Sequence, residues 1–264
     1  MNHTHMTTTM PYKHLLFENG AIARVTLNRP EVRNAFNETL LDELTHVFEY
    51  INNSDVCRVV ILQANGKSFC AGADLNWMKS MVDFSLEENL KDSSRLANML
   101  NTIYKCSVPV VAKIEGDVYA GGVGLAAVCD IVVASKNVRF CISEAKLGLL
   151  PATISPYVIK ALGEQACRRY FVTSEVFTAL KAFELGFVHE LTELEETETK
   201  VFEICTAIAQ NAPQAVAKCK QLVRDIAPLS IEPKLIDETV NRIASIRTSD
   251  EAQGRMKAFL NKTK

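Results

Sequence analysis

The stretch Val118–Leu150 constrains this chain more than any other. It opens Val-Tyr-Ala-Gly-Gly-Val-Gly-Leu-Ala-Ala, passes through a β-rich run, and reaches Ser143-Glu144 before a turn with Gly148 and Pro151. A strand, a glycine turn and a helix of small residues must follow one another there. The first turn of a helix leaves backbone N–H groups without acceptors and carries partial positive charge. Such a turn can hold an oxygen that is becoming an anion. A nearby carboxylate can move the protons that make or consume that anion. Glu144 is the candidate. On its own, though, an acid at a turn is more often a solvated side chain or a helix-cap partner.

A second stretch has the same form. Ala71-Gly72-Ala73-Asp74-Leu75 also lies between a strand and a helix, as do Ala120-Gly121-Gly122. Small residues let a ligand approach the backbone closely. Two backbone N–H groups, one from each of these loops, can grip one oxygen. Taken singly, each loop reads equally as a tight turn or a close helix contact.

The remaining pattern is mixed α/β and then helical. Lys13–Glu18 and Ile22–Leu27 flank Asn19-Gly20, a hairpin signal. Glu38–Ile51 carries Leu40, Leu41, Leu44, Val47, Phe48 and Ile51 at helical spacing. Strands are expected at 58–63, 108–114, 130–134, 138–142 and 187–190. Helices are expected from about Asn76, over 85–104, from Gly121, and over 155–162, 164–173 and 177–185. From about Thr192 only helices follow, over 201–211, 214–226, 231–246 and 250–261, separated by Pro213, Pro228, Pro233 and Ser249. This divides the chain into a tail at 1–12, a ββα-like core at 13–191 and a helical region at 192–264.

Composition narrows the classes. The chain has 264 residues, 48% of them hydrophobic and 23% charged, with a net charge of −2. No bulk basic field points to nucleic acid or an anionic membrane. No run approaches the ~20 apolar residues of a membrane span. Met1–Met10 is polar, lacks the apolar centre of a signal peptide and reads as a frayed tail. His3 and His5 there are weak metal candidates. The eight cysteines are scattered singly with no C-x-x-C pair, which fits buried thiols in a reducing cytoplasm. His14, His46 and His189 have no evident chemical partners, so no metal site follows. There is no P-loop and no G-x-G-x-x-G.

Several motifs in order carry a resemblance. Leu27-Asn-Arg-Pro30, Asn34-Ala35, Phe69-Cys-Ala-Gly-Ala-Asp-Leu75, Gly121-Gly-Val-Gly-Leu-Ala126, Cys129-Asp130 and Ser143-Glu144 with Leu147-Gly148-Leu-Leu-Pro151 resemble the crotonase (enoyl-CoA hydratase/isomerase) superfamily. The likeness runs from about Tyr12 to the C-terminus. It implies a ββα superhelix with an all-helical C-terminal trimerisation region, giving a homotrimer or a dimer of trimers. It implies an acyl-CoA thioester as substrate, with coenzyme A brought as part of that substrate and no separate metal or redox cofactor. By the same resemblance Ala73 and Gly121 hold the thioester oxygen. Ala71, Gly72, Asp74 and Leu75 belong to the loop that receives the coenzyme A end, with Arg33 and Ala35 lining that side. Phe259 and Lys262 resemble C-terminal positions that reach a coenzyme A site.

One position departs from the pattern. Hydratases of this superfamily usually carry two glutamates, one matching Glu144 and one where this chain has Gly124. Adding water needs one proton taken from water and one delivered to carbon. Moving a double bond needs only one shuttling base. An isomerase is therefore an alternative, and a non-catalytic acyl-CoA or RNA-binding relative is another.

A closer resemblance rests on Gly72-Ala-Asp-Leu-Asn-Trp77-Met78, on Cys141–Val158 and on Arg168-Arg169-Tyr170-Phe171. These resemble bacterial methylglutaconyl-CoA hydratases of leucine catabolism, whose substrates carry a second carboxylate. That carboxylate is expected near the gap left by Gly124, where a second glutamate would repel it, and Trp77 and Tyr157 are expected to shape the acyl pocket or to serve as core aromatics.

Overall fold

The computed structural model describes residues 12–262, so Met1–Met10 with His3 and His5 lies outside the described residues. Alternating and β-branched runs become one six-stranded sheet. β1 (Leu15–Glu18) and β2 (Ile22–Leu27) form the expected hairpin, with Leu15 opposite Leu27 and Glu18 opposite Arg24. β2 then pairs in parallel with β3 (Val59–Ala64), and β5 (Val110–Ile114), β7 (Ile131–Ser135) and β10 (Glu190–Thr192) continue the parallel ladder. Parallel neighbours need crossovers. α1 (Glu38–Asn52) makes one of them. Asn37 caps it by accepting from the Leu40 N–H at 2.9 Å, and its buried face is the six apolar residues from Leu40 to Ile51 that the periodicity marks. Each such side chain, fully buried, contributes about 1.5–3 kcal/mol, an upper figure because unfolded chains already hide some surface.

A second, smaller sheet positions the site. It has the order β4 (Ser68–Cys70), β6 (Asp117–Tyr119), β8 (Arg139–Cys141) and β9 (Phe177–Thr178). β4, β6 and β8 are parallel, with Cys70 beside Val118 and Tyr119 beside Cys141. The chain visits the large sheet, then the small one, then a helix: β3, β4 and α2 (Leu75–Met81); β5, β6 and α4 (Gly121–Ala127); β7, β8 and then α5 (Ser155–Leu162). This repeat is the ββα superhelix expected from the resemblance. α3 (Leu86–Tyr104) adds a long crossover that begins in a capping box between Ser85 and Glu88 and packs on α1.

Several local expectations are corrected. Residues 68–70 and 117–119 lie outside the strand ranges expected above and form strands β4 and β6. They are too short to show a period, and pairing with each other makes them strands. Phe177-Thr178, read as helix, is β9, and Thr178 instead caps α7 (Ala179–Glu184) by accepting from the Lys181 N–H. The last strand is at Glu190–Thr192, because Phe187 and Val188 turn into the core beneath α7. Tyr12, read as part of the tail, packs on the core and its hydroxyl is 2.9 Å from His46 Nδ1.

α6 (Glu164–Thr173) follows α5. The helical region then holds α8 (Thr197–Gln210), α9 (Pro213–Ile226), α10 (Pro233–Arg247) and α11 (Asp250–Lys262). Pro213 and Pro233 do not separate helices; they start them, where a missing N–H costs nothing. α8 is a wall of the core. Its Val201 and Cys205 pack with Val59, Ile61, Val111 and Val133 on the second face of the large sheet. α9 and α10 leave Val223, Ile236, Val240 and Ile243 exposed. The eight cysteines are free thiols, and seven are buried. Among the described residues no helix is long and apolar enough to cross a membrane.

Candidate active site

The three parallel strands of the small sheet release three residues on one side. Ala73 follows β4, Gly121 follows β6 and Glu144 follows β8. Ends of adjacent parallel strands are natural places for a ligand. All three residues are half-buried, hence reachable.

The first loop is held by its neighbours' backbone. The Ala71 N–H donates to Arg33 O at 3.1 Å, the Phe36 N–H to Gly72 O at 2.7 Å and the Asp74 N–H to Phe36 O at 2.8 Å. Phe36 and Ala73 thus form an isolated parallel bridge. In that geometry the Ala73 N–H points away from Phe36, and among the described residues it has no acceptor. Gly72 is required twice over. Its φ is 89°, and a Cβ there would lie 2.9 Å from Ala120 Cβ and 3.8 Å from Gly121 N. The two loops therefore touch at Gly72.

The second loop turns on strain. Ala120 has φ 47° and ψ −122°, a conformation L-residues rarely adopt, and its N–H is tied to Cys141 O at 2.8 Å. That turn starts α4 at Gly121, whose N–H has no acceptor among the described residues. A Cβ on Gly122 would lie 2.5 Å from Cys70 O, so α4 sits directly on β4.

Glu144 begins a short 3-10 helix, Glu144–Leu147, closed by Gly148 with φ 72°. Its Oε2 is buried with no hydrogen-bond partner. Burial pushes its carboxyl above the usual range, against the backbone N–H groups of Glu144 and Ser143. A carboxylate left unpaired and partly desolvated is suited to exchange protons.

Gly124 corrects an expectation. The space beside it is no gap for a substrate carboxylate. A Cβ there would lie 2.2 Å from Ile154 Cγ2, and Ile154, the residue before α5, is 2% exposed. An apolar side chain, Ile154, fills the space directly beside Gly124.

The other expected residues divide. Asp74 is buried and engaged at both oxygens: Oδ1 accepts from the Asn76 N–H at 2.8 Å, capping α2, and Oδ2 from Arg29 Nη2 at 2.9 Å. It builds the loop, with one hydrogen bond at each oxygen. Ala35 is buried, while Leu75 and Arg33 are exposed. Arg33 borders a cleft of about 450 Å³ with Lys67, Asp117 and Arg139 that does not include Glu144. Lys67 and Arg139 come from the turn before β4 and from β8, and only folding brings them beside Arg33. Trp77 Nε1 donates to Asp92 Oδ1 at 3.0 Å, joining α2 to α3, and Tyr157 packs 5.2 Å from Tyr104. Phe259 is exposed on α11, and the side chain of Lys262 lies outside the described residues. The histidines do have partners: His14 meets Asn37, His46 meets Tyr12, and His189 Nδ1 accepts from the Val132 N–H. Among the described residues no cluster of acids, histidines and cysteines is arranged to hold a metal ion.

Comparison with known proteins shows the family. The family described as enoyl-CoA hydratase/isomerase matches residues 17–264. An enoyl-CoA hydratase from Shewanella pealeana ATCC 700345 has the same fold, with a TM-score of 0.91 and 37% identity over 96% of this chain and 95% of that one. The short-chain-enoyl-CoA hydratase of Clostridium acetobutylicum is 30% identical over 256 residues, 95% of this chain and 95% of its own. The 2,3-dehydroadipyl-CoA hydratase of Escherichia coli is 30% identical over 240 residues, 90% of this chain and 91% of its own. The chain belongs to the enoyl-CoA hydratase/isomerase family, within the crotonase superfamily. It is an enzyme of that chemistry.

Proposed function

We propose that this enzyme adds water to an α,β-unsaturated acyl-CoA, with 3-methylglutaconyl-CoA or a related branched enoyl-CoA as substrate, and removes water by the same groups. The Ala73 and Gly121 N–H groups bind the thioester oxygen and make the β-carbon electrophilic. Glu144 takes a proton from water as the hydroxyl bonds to the β-carbon. The enolate oxygen stays between the two donors, and Glu144 returns the proton to the α-carbon. No electrons leave the substrate, so the reaction calls for no redox cofactor. The observation that carries this reading is that two acceptor-free N–H groups and a carboxyl with one unpartnered oxygen each follow one of three adjacent parallel strands, β4, β6 and β8.

The branched substrate and a place in leucine breakdown rest on likeness in sequence over Gly72–Met78 and Cys141–Val158. Phosphates of coenzyme A belong on the Arg33 side. The exposed apolar residues of α9 and α10 support a homotrimer or a dimer of trimers, and the free thiols support a cytoplasmic setting.

A second reading is favoured by Ile154. With one carboxylate and an apolar wall at Gly124, the site also suits an enoyl-CoA isomerase that carries a proton between two carbons. Product mass from 3-methylglutaconyl-CoA, crotonyl-CoA and a 3-enoyl-CoA separates the readings, with Glu144→Ala as control. Gain of one water, lost in the variant, is expected. Unchanged mass with a moved double bond makes the enzyme an isomerase. Thioester binding without turnover overturns both.

A further inference from the structure

Arg29 is not among the residues assigned a role above, yet it joins two loops that are. It stands between β2 and the 3-10 turn Pro30–Val32, with its side chain 10% exposed. Nη1 donates to Ala35 O at 2.6 Å, and Nη2 donates to Asp74 Oδ2 at 2.9 Å. One guanidinium therefore holds the segment expected to line the coenzyme A side, at Ala35, and the residue next to Ala73. Its own backbone is fixed by Asn34, which is fully buried with φ 54°. Asn34 Oδ1 accepts from the Arg29 N–H at 2.8 Å, and its Nδ2 donates to Asn65 O and Ser68 O. A second link runs in parallel through the backbone, where Phe36 bonds to both sides of Ala73.

The arrangement is costly as a mere fastener. Arg29 Nε is buried without a partner, and apolar side chains of like volume often stabilise as much as a buried ion pair. The planar fork of an arginine does something apolar packing does not: it fixes two acceptors at a set separation.

We propose that Arg29 is a positioning residue through which binding of the coenzyme A nucleotide at Arg33–Ala35 sets the Ala73 N–H for the thioester oxygen. This rests on the reading of the site given under Proposed function. A nucleotide that seats Ala35 seats the guanidinium, the guanidinium seats Asp74, and Ala73 follows. Binding energy from a remote part of the substrate is then used at the reacting carbonyl, and it appears in kcat.

The test crosses a substitution with a truncated substrate. Wild type, Arg29→Lys and Asp74→Asn are assayed on crotonyl-CoA and on its pantetheine thioester, which lacks the nucleotide. Melting temperature and coenzyme A titration verify that each variant is folded. Should Arg29→Lys not fold, the isosteric Asp74→Asn carries the test. Truncation is expected to lower wild-type kcat by about tenfold or more. Arg29→Lys is expected to lower kcat on crotonyl-CoA by up to about 10²-fold, the cost of a donor misplaced by about 1 Å, with KM little changed. In that variant truncation should lower kcat no further, because the link is already broken. If the two losses multiply, or if Arg29→Lys changes KM alone, the coupling is overturned while the site reading stands. Glu144→Gln separates the cases: if wild-type turnover survives that change, the reading of the site falls, and this proposal with it.

Discussion

Asp74 follows β4 and Glu144 follows β8 in one small sheet, and they are opposites. Burial pushes the Asp74 carboxyl up, but the Asn76 N–H and the Arg29 guanidinium outweigh it and hold it below the ordinary range. Burial pushes Glu144 up with only two backbone N–H groups opposing, and its Oε2 stays unpartnered. Asp74 is committed to structure with both oxygens used. Glu144 keeps an oxygen in reserve. A carboxylate beside a reactive loop is thus read by its partners before its position.

The contrast can be broken, and the largest effect comes first. Glu144→Gln should lower kcat by about 10²–10⁴-fold with binding retained, the usual worth of a positioned acid–base group; steady-state kinetics with a coenzyme A titration checks this. Arg29→Met leaves Asp74 buried without its cation and should destabilise the fold by about 3–5 kcal/mol in urea melts at neutral pH. Because the folded-state pKa of Asp74 is depressed, the stability it contributes is present above its unfolded value of about 3.9 and lost as pH falls through the folded one. The gap between Arg29→Met and wild type should therefore narrow in acid.

Smaller effects sharpen the same comparison. Gly124→Ala should cost about 1–3 kcal/mol by overpacking against Ile154, and less on an Ile154→Ala background; a double-mutant cycle of melts measures that relief. Glu144→Gln should raise stability at pH 7 by about 0.5–2 kcal/mol, as relief of a strained site commonly does. The sign follows from a folded-state pKa above the unfolded value of about 4.3: stability linked to Glu144 is full below that value and lost as pH rises through the folded one. The gain should vanish in acid, and equal Tm shifts at both pH values would contradict it. The acid limb of kcat/KM should fall at a pH above about 4.3 for the same reason.

Much of this was legible in the chain. α1 is announced by six apolar residues at helical spacing. The hairpin of β1 and β2 is announced by Asn19-Gly20, and the two site loops by their small residues. What stayed hidden is non-local. β4 and β6 are three residues each and exist because they pair with one another. No pattern in the sequence says that Arg29 reaches Asp74 across the fold, or that Lys67 and Arg139 stand near Arg33. The meaning of Gly124 was misread for a related reason. A glycine in a sequence looks like empty space, and whether a neighbour fills that space is decided by a residue from another turn of the superhelix.

That filled space has a consequence for how such an enzyme can change. Placing a glutamate at position 124 by one substitution drives its first carbon into Ile154. Trimming Ile154 first leaves a hole in the wall between α4 and α5. Each single step toward a two-acid site therefore passes through a less stable protein. This chain is held on one side of a small valley between chemistries, and a designer seeking the other side must change both residues together.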